Sequence, residues 1–184
     1  MNYHNITKDD MLNGDGLRVV LWTSGCSHHC DKCQNPQTWN PMSGVEFDSN
    51  AEKELFDALD NDYISGITFS GGDPLHENNI DKVRNLIDKM HVLYPEKTIW
   101  LYSGYKWEEV KKDYEDSKEI WMSHRWKNVA VLRWEIVTLC DVFVDGRYID
   151  KLRDTSLKWR GSSNQRVIDV KKTLSQNKII LHCS

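Results

Sequence analysis

Four short β-rich runs, at residues 17–22, 66–70, 98–102 and 141–145, each stop at a turn, and longer segments separate them. Strands that alternate with helices build a mostly parallel sheet with helices packed outside it. Four such units are half of a complete eight-unit barrel. The expected fold is therefore α/β, an incomplete TIM-like barrel of mostly parallel strands with outer helices. At 184 residues the chain is expected to form one domain, 1–184. In such sheets ligands gather beyond the carboxyl ends of the strands. The unusual residues of this chain fall there. Cys26, Cys30 and Cys33 follow the first run, Gly71, Gly72 and Asp73 the second and Ser103 the third, and Asp145 ends the fourth. Any one of these reads as a turn residue; four strand ends converging with three cysteines point to a site.

The intervening segments have helical period. Asp48-Ser-Asn-Ala leads into a pattern with Leu55, Phe56 and Leu59 on one face. Ile80, Val83, Ile87 and Met90 form the stripe of a second helix, which closes before Pro95. Residues 105 to about 139 read as one charged helical stretch, with Glu108 and Lys112 spaced for an i,i+4 ion pair. Beyond 145 come a polar stretch at 160–166 and a short apolar run at 178–181 that reads as a further strand.

Net charge is −4 with both signs interspersed, so no basic stripe points to nucleic acid. No apolar run is long enough to span a bilayer, and the first residues lack the apolar core of a signal peptide. The expected location is the cytoplasm, where thiols stay reduced. The eight tryptophans are scattered without period and read as packing residues.

The run Gly25-Cys26-Ser-His-His-Cys30-Asp-Lys-Cys33 places three thiols within eight residues at a C-x3-C-x2-C spacing. Thiolates bind soft metals and iron–sulfur clusters. Three thiolates on a four-iron cluster leave one iron open to a substrate. Zinc is a competing reading, with His28 or His29 as the fourth ligand that a structural site requires. Disulfide pairing is another, disfavoured without a secretory signal. His28 and His29 read better as residues lining the loop. After the second run, Gly71 and Gly72 let a ligand approach the backbone closely. Their carbonyls and the Asp73 carboxylate suit an ammonium group. A Gly-Gly-Asp turn alone is a weak signal, since such turns are common.

The cysteine loop followed by Gly-Gly-Asp resembles the radical S-adenosylmethionine enzymes. The resemblance narrows with Asn13-Gly14-Asp15-Gly16, Thr38-Trp39, Ser70-Gly-Gly-Asp-Pro-Leu75, Ile99-Trp-Leu-Tyr-Ser-Gly-Tyr105, Val144-Asp-Gly146 and Trp159-Arg-Gly-Ser-Ser-Asn-Gln165. In this order they resemble the activating proteins of anaerobic (class III) ribonucleoside-triphosphate reductases, over residues 1 to about 106 and 140–166.

That resemblance implies one 4Fe–4S cluster on Cys26, Cys30 and Cys33, with S-adenosylmethionine chelating the open iron. Lys32, Cys33, Gln34, Gly71, Gly72, Asp73, Ser103 and Asp145 are then the expected cofactor contacts. It implies that the reduced cluster passes an electron to the sulfonium, and that the resulting 5′-deoxyadenosyl radical takes a hydrogen from a glycine of the reductase. The protein positions these cofactors and excludes water. The implied partners are the reductase and an electron donor such as flavodoxin. The chain departs from the pattern at Lys32 and Gln34, where relatives carry an aromatic near adenine.

Activation of another glycyl-radical enzyme, of the pyruvate formate-lyase type, is an alternative that the Arg160 to Gln165 run argues against. A non-catalytic zinc or iron–sulfur binding module is the alternative from a different class. Cys140 reads as a core thiol, and Cys183, near the end of the sequence, as incidental. Arg160 and Arg166 read either as a polar turn or as contacts for a carboxylate or a partner.

Overall fold

The structure is a computed structural model that describes residues 1–119 and 123–182. Its strands are β1 (Asn2–Asp10), β2 (Leu17–Thr23), β3 (Val45–Glu46), β4 (Ile64–Gly71), β5 (Thr98–Tyr102), β6 (Val142–Asp145) and β7 (Arg166–Asp169). Its helices are α1 (Ser49–Leu59), α2 (Ile80–Leu93), α3 (Trp107–Asp116), α4 (His124–Leu139) and α5 (Val170–Gln176). The strands form one open sheet in the order β3-β1-β2-β4-β5-β6-β7.

The four expected strands are β2, β4, β5 and β6, side by side and parallel. Their consecutive order fits right-handed crossovers that all return on one face. On that face Leu21, Phe69, Leu101 and Phe143 pack with Leu55 of α1, Val83 and Ile87 of α2, Val110 of α3 and Ile136 of α4. The stripe expected for α2 is buried in full, joined by Leu86. The opposite face carries Trp100, Val142, Val144 and Val167, with Tyr102 and Trp159 against them. The period of two along each strand makes this division.

Four expectations need correction. The sheet is mixed rather than mostly parallel, because β1, β3 and β7 pair antiparallel at its edges. β1 escapes a pattern reading because Ile6 is its one buried residue and two register shifts interrupt its pairing with β2. The apolar run at 178–181 supplies a single bridge, Leu181 to Ile168, and α5, for which the sequence pattern predicts no element, precedes it. The charged stretch is two helices, α3 and α4; residues 120–122 between them, and Cys183, lie outside the described residues. Glu108 and Lys112 take other partners: Glu108 binds Arg166, and Lys112 binds Asp116.

Arg18 organises the amino-terminal end of the sheet. Its guanidinium is fully buried and donates to Thr68 Oγ1 (2.8 Å), Thr98 Oγ1 (2.9 Å), and the carbonyls of Asp15 (3.0 Å), Ile67 (2.7 Å) and Thr98 (2.7 Å). It lies 5.4 Å from the Trp100 ring centroid. A Cβ at Gly14 would come within 2.7 Å of Arg18 Cδ, so the Asn-Gly-Asp-Gly turn wraps this side chain. Asn13 of the same motif also lines the cavity at the other end of the sheet described below.

Asp48 caps α1, its Oδ1 accepting from the amides of Asn50 and Ala51 at 2.9 Å each. Asp48→Ala is expected to cost about 1 kcal/mol of stability by denaturant unfolding. No helix among the described residues is long and apolar enough to cross a membrane.

Candidate functional site

Beyond the carboxyl ends of β2, β4, β5 and β6 lies a cavity of about 630 Å³. Cys26, Cys30 and Cys33 line it, with Gln34, Gly71, Gly72 and Ser103. Peptide contacts hold the cysteine loop to its neighbours. Gly72 N donates to Thr23 O (2.8 Å), Asp73 N to Gly25 O (2.7 Å) and Cys26 N to Trp39 O (3.0 Å).

Burial pushes the Cys26 thiol up to about 11, with the Asp73 charge adding to it, while the His28 backbone amide pulls the other way. Cys30 is also raised by burial and opposed by the Tyr148 amide. The amide of Asn35 donates to Cys33 Sγ at 3.4 Å. Backbone N–H groups thus oppose the effect of burial on Cys26 and Cys30, and one reaches the sulfur of Cys33. A metal bound here would have to displace the protons that burial retains on Cys26 and Cys30.

The turn after β4 faces inward. Asp73 is buried and accepts from His28 Nε2 (2.7 Å), Ser103 Oγ (2.9 Å), Leu75 N (2.8 Å) and Gly104 N (3.2 Å). The expected ammonium contact of its carboxylate therefore competes with four protein donors. The glycine requirement at residue 72 also has a cause within the protein. A Cβ there would lie 2.6 Å from Gly25 O of the cysteine loop and 3.0 Å from Thr38 O of the segment that follows it, both backbone atoms. Gly72→Val is therefore expected to lower iron content as well as cofactor affinity, measured by iron analysis after anaerobic reconstitution.

Other expected contacts are placed differently. Gly146, rather than Asp145, lines the cavity. Asp145 is fully buried, accepting from Trp107 N (2.8 Å) and from Arg166 Nε (3.0 Å) and Nη2 (2.5 Å). It thereby joins α3 to β7. Arg166 also forks onto Glu108 at 2.9 and 2.7 Å, and these two carboxylates hold its pKa up. Arg166 is thus paired within the chain, at a partly exposed position. Lys32 is exposed, in left-handed backbone (φ +50°), and pairs with Asp150 at 2.6 Å outside the cavity wall.

The Trp159 to Gln165 run forms a loop pinned beneath the end of β6. Gln165 Oε1 accepts from Gly161 N (3.0 Å) and Ser162 N (3.1 Å), and its Nε2 donates to Gly146 O (3.0 Å). Trp159, Arg160, Gly161 and Gln165 close one wall of the cavity. Pattern reading missed Trp39, Tyr102 and Tyr148 as wall residues. Their signal was position: Trp39 follows the cysteine loop, Tyr102 ends β5 and Tyr148 follows Gly146. Trp39 Nε1, Tyr102 OH and Arg160 Nε are buried without a hydrogen-bond partner among the described residues. Such groups are rare in native proteins and ask for a ligand or water.

Cys140 stands apart, buried in the core with its thiol donating to Ile136 O at 3.1 Å.

A family model described as a 4Fe-4S single cluster domain matches residues 12–168. A protein of Enterobacteria phage T4 named anaerobic ribonucleoside-triphosphate reductase-activating protein is 40% identical over 167 residues, covering 91% of this chain and 93% of its own length. The protein of that name from Escherichia coli (strain K12) is 38% identical over 169 residues, 91% of this chain and 97% of its own. One from Haemophilus influenzae is 35% identical over 167 residues, 90% of this chain and 96% of its own. With three cysteines on one cavity inside a matched 4Fe-4S domain, and relatives of one name along nearly the whole sequence, this chain belongs to the family of anaerobic ribonucleoside-triphosphate reductase-activating proteins.

Proposed function

We propose that this chain installs a glycyl radical on an anaerobic ribonucleoside-triphosphate reductase, with a 4Fe–4S cluster on Cys26, Cys30 and Cys33 and S-adenosylmethionine beside it. The observation that carries the reading is the shared cavity: the three thiols, Gly71, Gly72 and Ser103 all line it. Its volume of about 630 Å³ lies within the roughly 300–1,000 Å³ of small-ligand clefts. The unpartnered donors of Trp39 and Arg160 and the Tyr102 phenol suit a ligand rich in acceptors.

When bound, the cluster and S-adenosylmethionine supply one-electron cleavage of a sulfonium C–S bond, and so a carbon radical able to take hydrogen from glycine. The residues of this chain do the rest. Backbone amides at His28 and Tyr148 favour the thiolates of Cys26 and Cys30, and the Asn35 amide donates to Cys33 Sγ. Gly71 and Gly72 offer bare backbone to the methionine moiety, and Ser103 fixes the turn through Asp73. The wall from Trp159 to Gly161 screens one side from water. A one-electron donor such as flavodoxin is required, and the cytoplasm is the compartment that supplies it. The zinc reading is weaker, because the family model that matches residues 12–168 is that of a 4Fe-4S single cluster domain.

Mixing the reduced protein, S-adenosylmethionine and the reductase is expected to give a glycyl-radical doublet by electron paramagnetic resonance. Rapid cofactor cleavage without a doublet, with a competent reductase, would assign a different partner.

A further inference from the structure

We propose that His28 is a positioning residue that couples the cysteine loop, through Asp73, to the turn after β4, so that the two halves of the site are held as one body. The inference rests on the function proposed above and assigns the Asp73 carboxylate to a partner inside the protein.

His28 stands midway between Cys26 and Cys30, and Asp73 follows Gly72. Their side chains are 4% and 2% exposed, and Nε2 lies 2.7 Å from Oδ2. A carboxylate only accepts, so Nε2 carries the hydrogen. A charge-assisted bond in a dry setting is stronger than the same bond in water. With Ser103 Oγ, Leu75 N and Gly104 N also donating, the roughly four lone-pair sites of the carboxylate are filled.

The ring is also fixed by shape. It meets Tyr105 edge to face at 4.6 Å between centroids. It occupies the space that a side chain at Gly104 would need, since a Cβ there would lie 2.2 Å from His28 Cδ2. Arg133 of α4 covers Tyr105 at 4.3 Å and donates to Leu75 O at 2.8 Å. The loop after β2, the turn after β4, the end of β5 and α4 are thus tied through His28, Asp73, Tyr105 and Arg133. A tilt of the imidazole would move the backbone between two thiols and the turn beside Gly72 together.

The test is a double-mutant cycle on the full chain, reconstituted anaerobically. Iron content, rate of iron loss to a chelator and S-adenosylmethionine affinity are measured for His28→Phe, His28→Gln, Asp73→Asn and His28→Phe with Asp73→Asn. Gln can place an amide donor where Nε2 stood; Phe cannot. His28→Phe is expected to weaken affinity at least tenfold and to speed iron loss, with His28→Gln recovering most of both. The double variant is expected to lose no more than either single change, as for residues acting through one contact. Losses that multiply, with Asp73→Asn far worse for affinity than His28→Phe, would show Asp73 acting on the ligand directly and overturn the proposal. A cluster lost in His28→Phe and not regained in His28→Gln would make His28 a ligand or a folding residue, which also overturns it. Failure of the wild type to bind S-adenosylmethionine would instead remove the proposed function, and the cycle read on iron loss would still decide the coupling.

Discussion

Cys30→Ala is expected to abolish both the iron–sulfur cluster and the reductive cleavage of S-adenosylmethionine. Cys30 lines the cavity with Cys26 and Cys33, and the Tyr148 amide from the segment after β6 favours its thiolate. Two thiolates cannot replace three: one more iron would lose its protein ligand, and the cluster would be left to solvent. The same loss is expected at Cys26 and Cys33. Iron and sulfide analysis, visible absorption and 5′-deoxyadenosine formation read the result. Cys140→Ser is the control, because that thiol lies in the core and burial holds its pKa well above the ordinary thiol range. Its cluster content should match the wild type. A Cys30 variant with a full and active cluster would refute the ligand assignment.

The largest effect on stability is expected at Arg18, far from the cysteines. Its pKa is lowered by burial to about 10, so the group remains a cation at neutral pH. It is compensated by carbonyls and hydroxyls instead of a bonded carboxylate. Arg18→Met would fill much of the space but leave the carbonyls of Asp15, Ile67 and Thr98 without this donor. At about 1–3 kcal/mol for a buried polar group left unpaired, the total loss is expected to be about 3–5 kcal/mol. For a chain of this size that lowers Tm by on the order of 10 °C, measured by circular dichroism. Arg18→Lys should recover little, since one ammonium cannot reach five acceptors around a planar fork. A loss below about 1 kcal/mol would mean that water replaces the guanidinium.

The sequence alone was enough for the parallel core and the cysteine loop. β2, β4, β5 and β6 are short apolar runs closed by turns, and the stripe of α2 repeats at helical period; both signals are local. Three thiols in eight residues carry their chemistry in their spacing. The edge strands were not legible, because β1 buries only Ile6 and draws its order from hydrogen bonds to β2. Nor could spacing say which way each side chain faces. Asp145 and Ser103 both stand at strand ends, yet Ser103 reaches the cavity wall while Asp145 is held by Arg166, twenty-one residues on. The same holds for His28 and Asp73, forty-five residues apart and 2.7 Å from each other. Residue type and local period specify elements and candidate ligands. The direction of a polar side chain is settled by whichever distant donor or acceptor the packed sheet brings within reach, and only the tertiary structure contains that information.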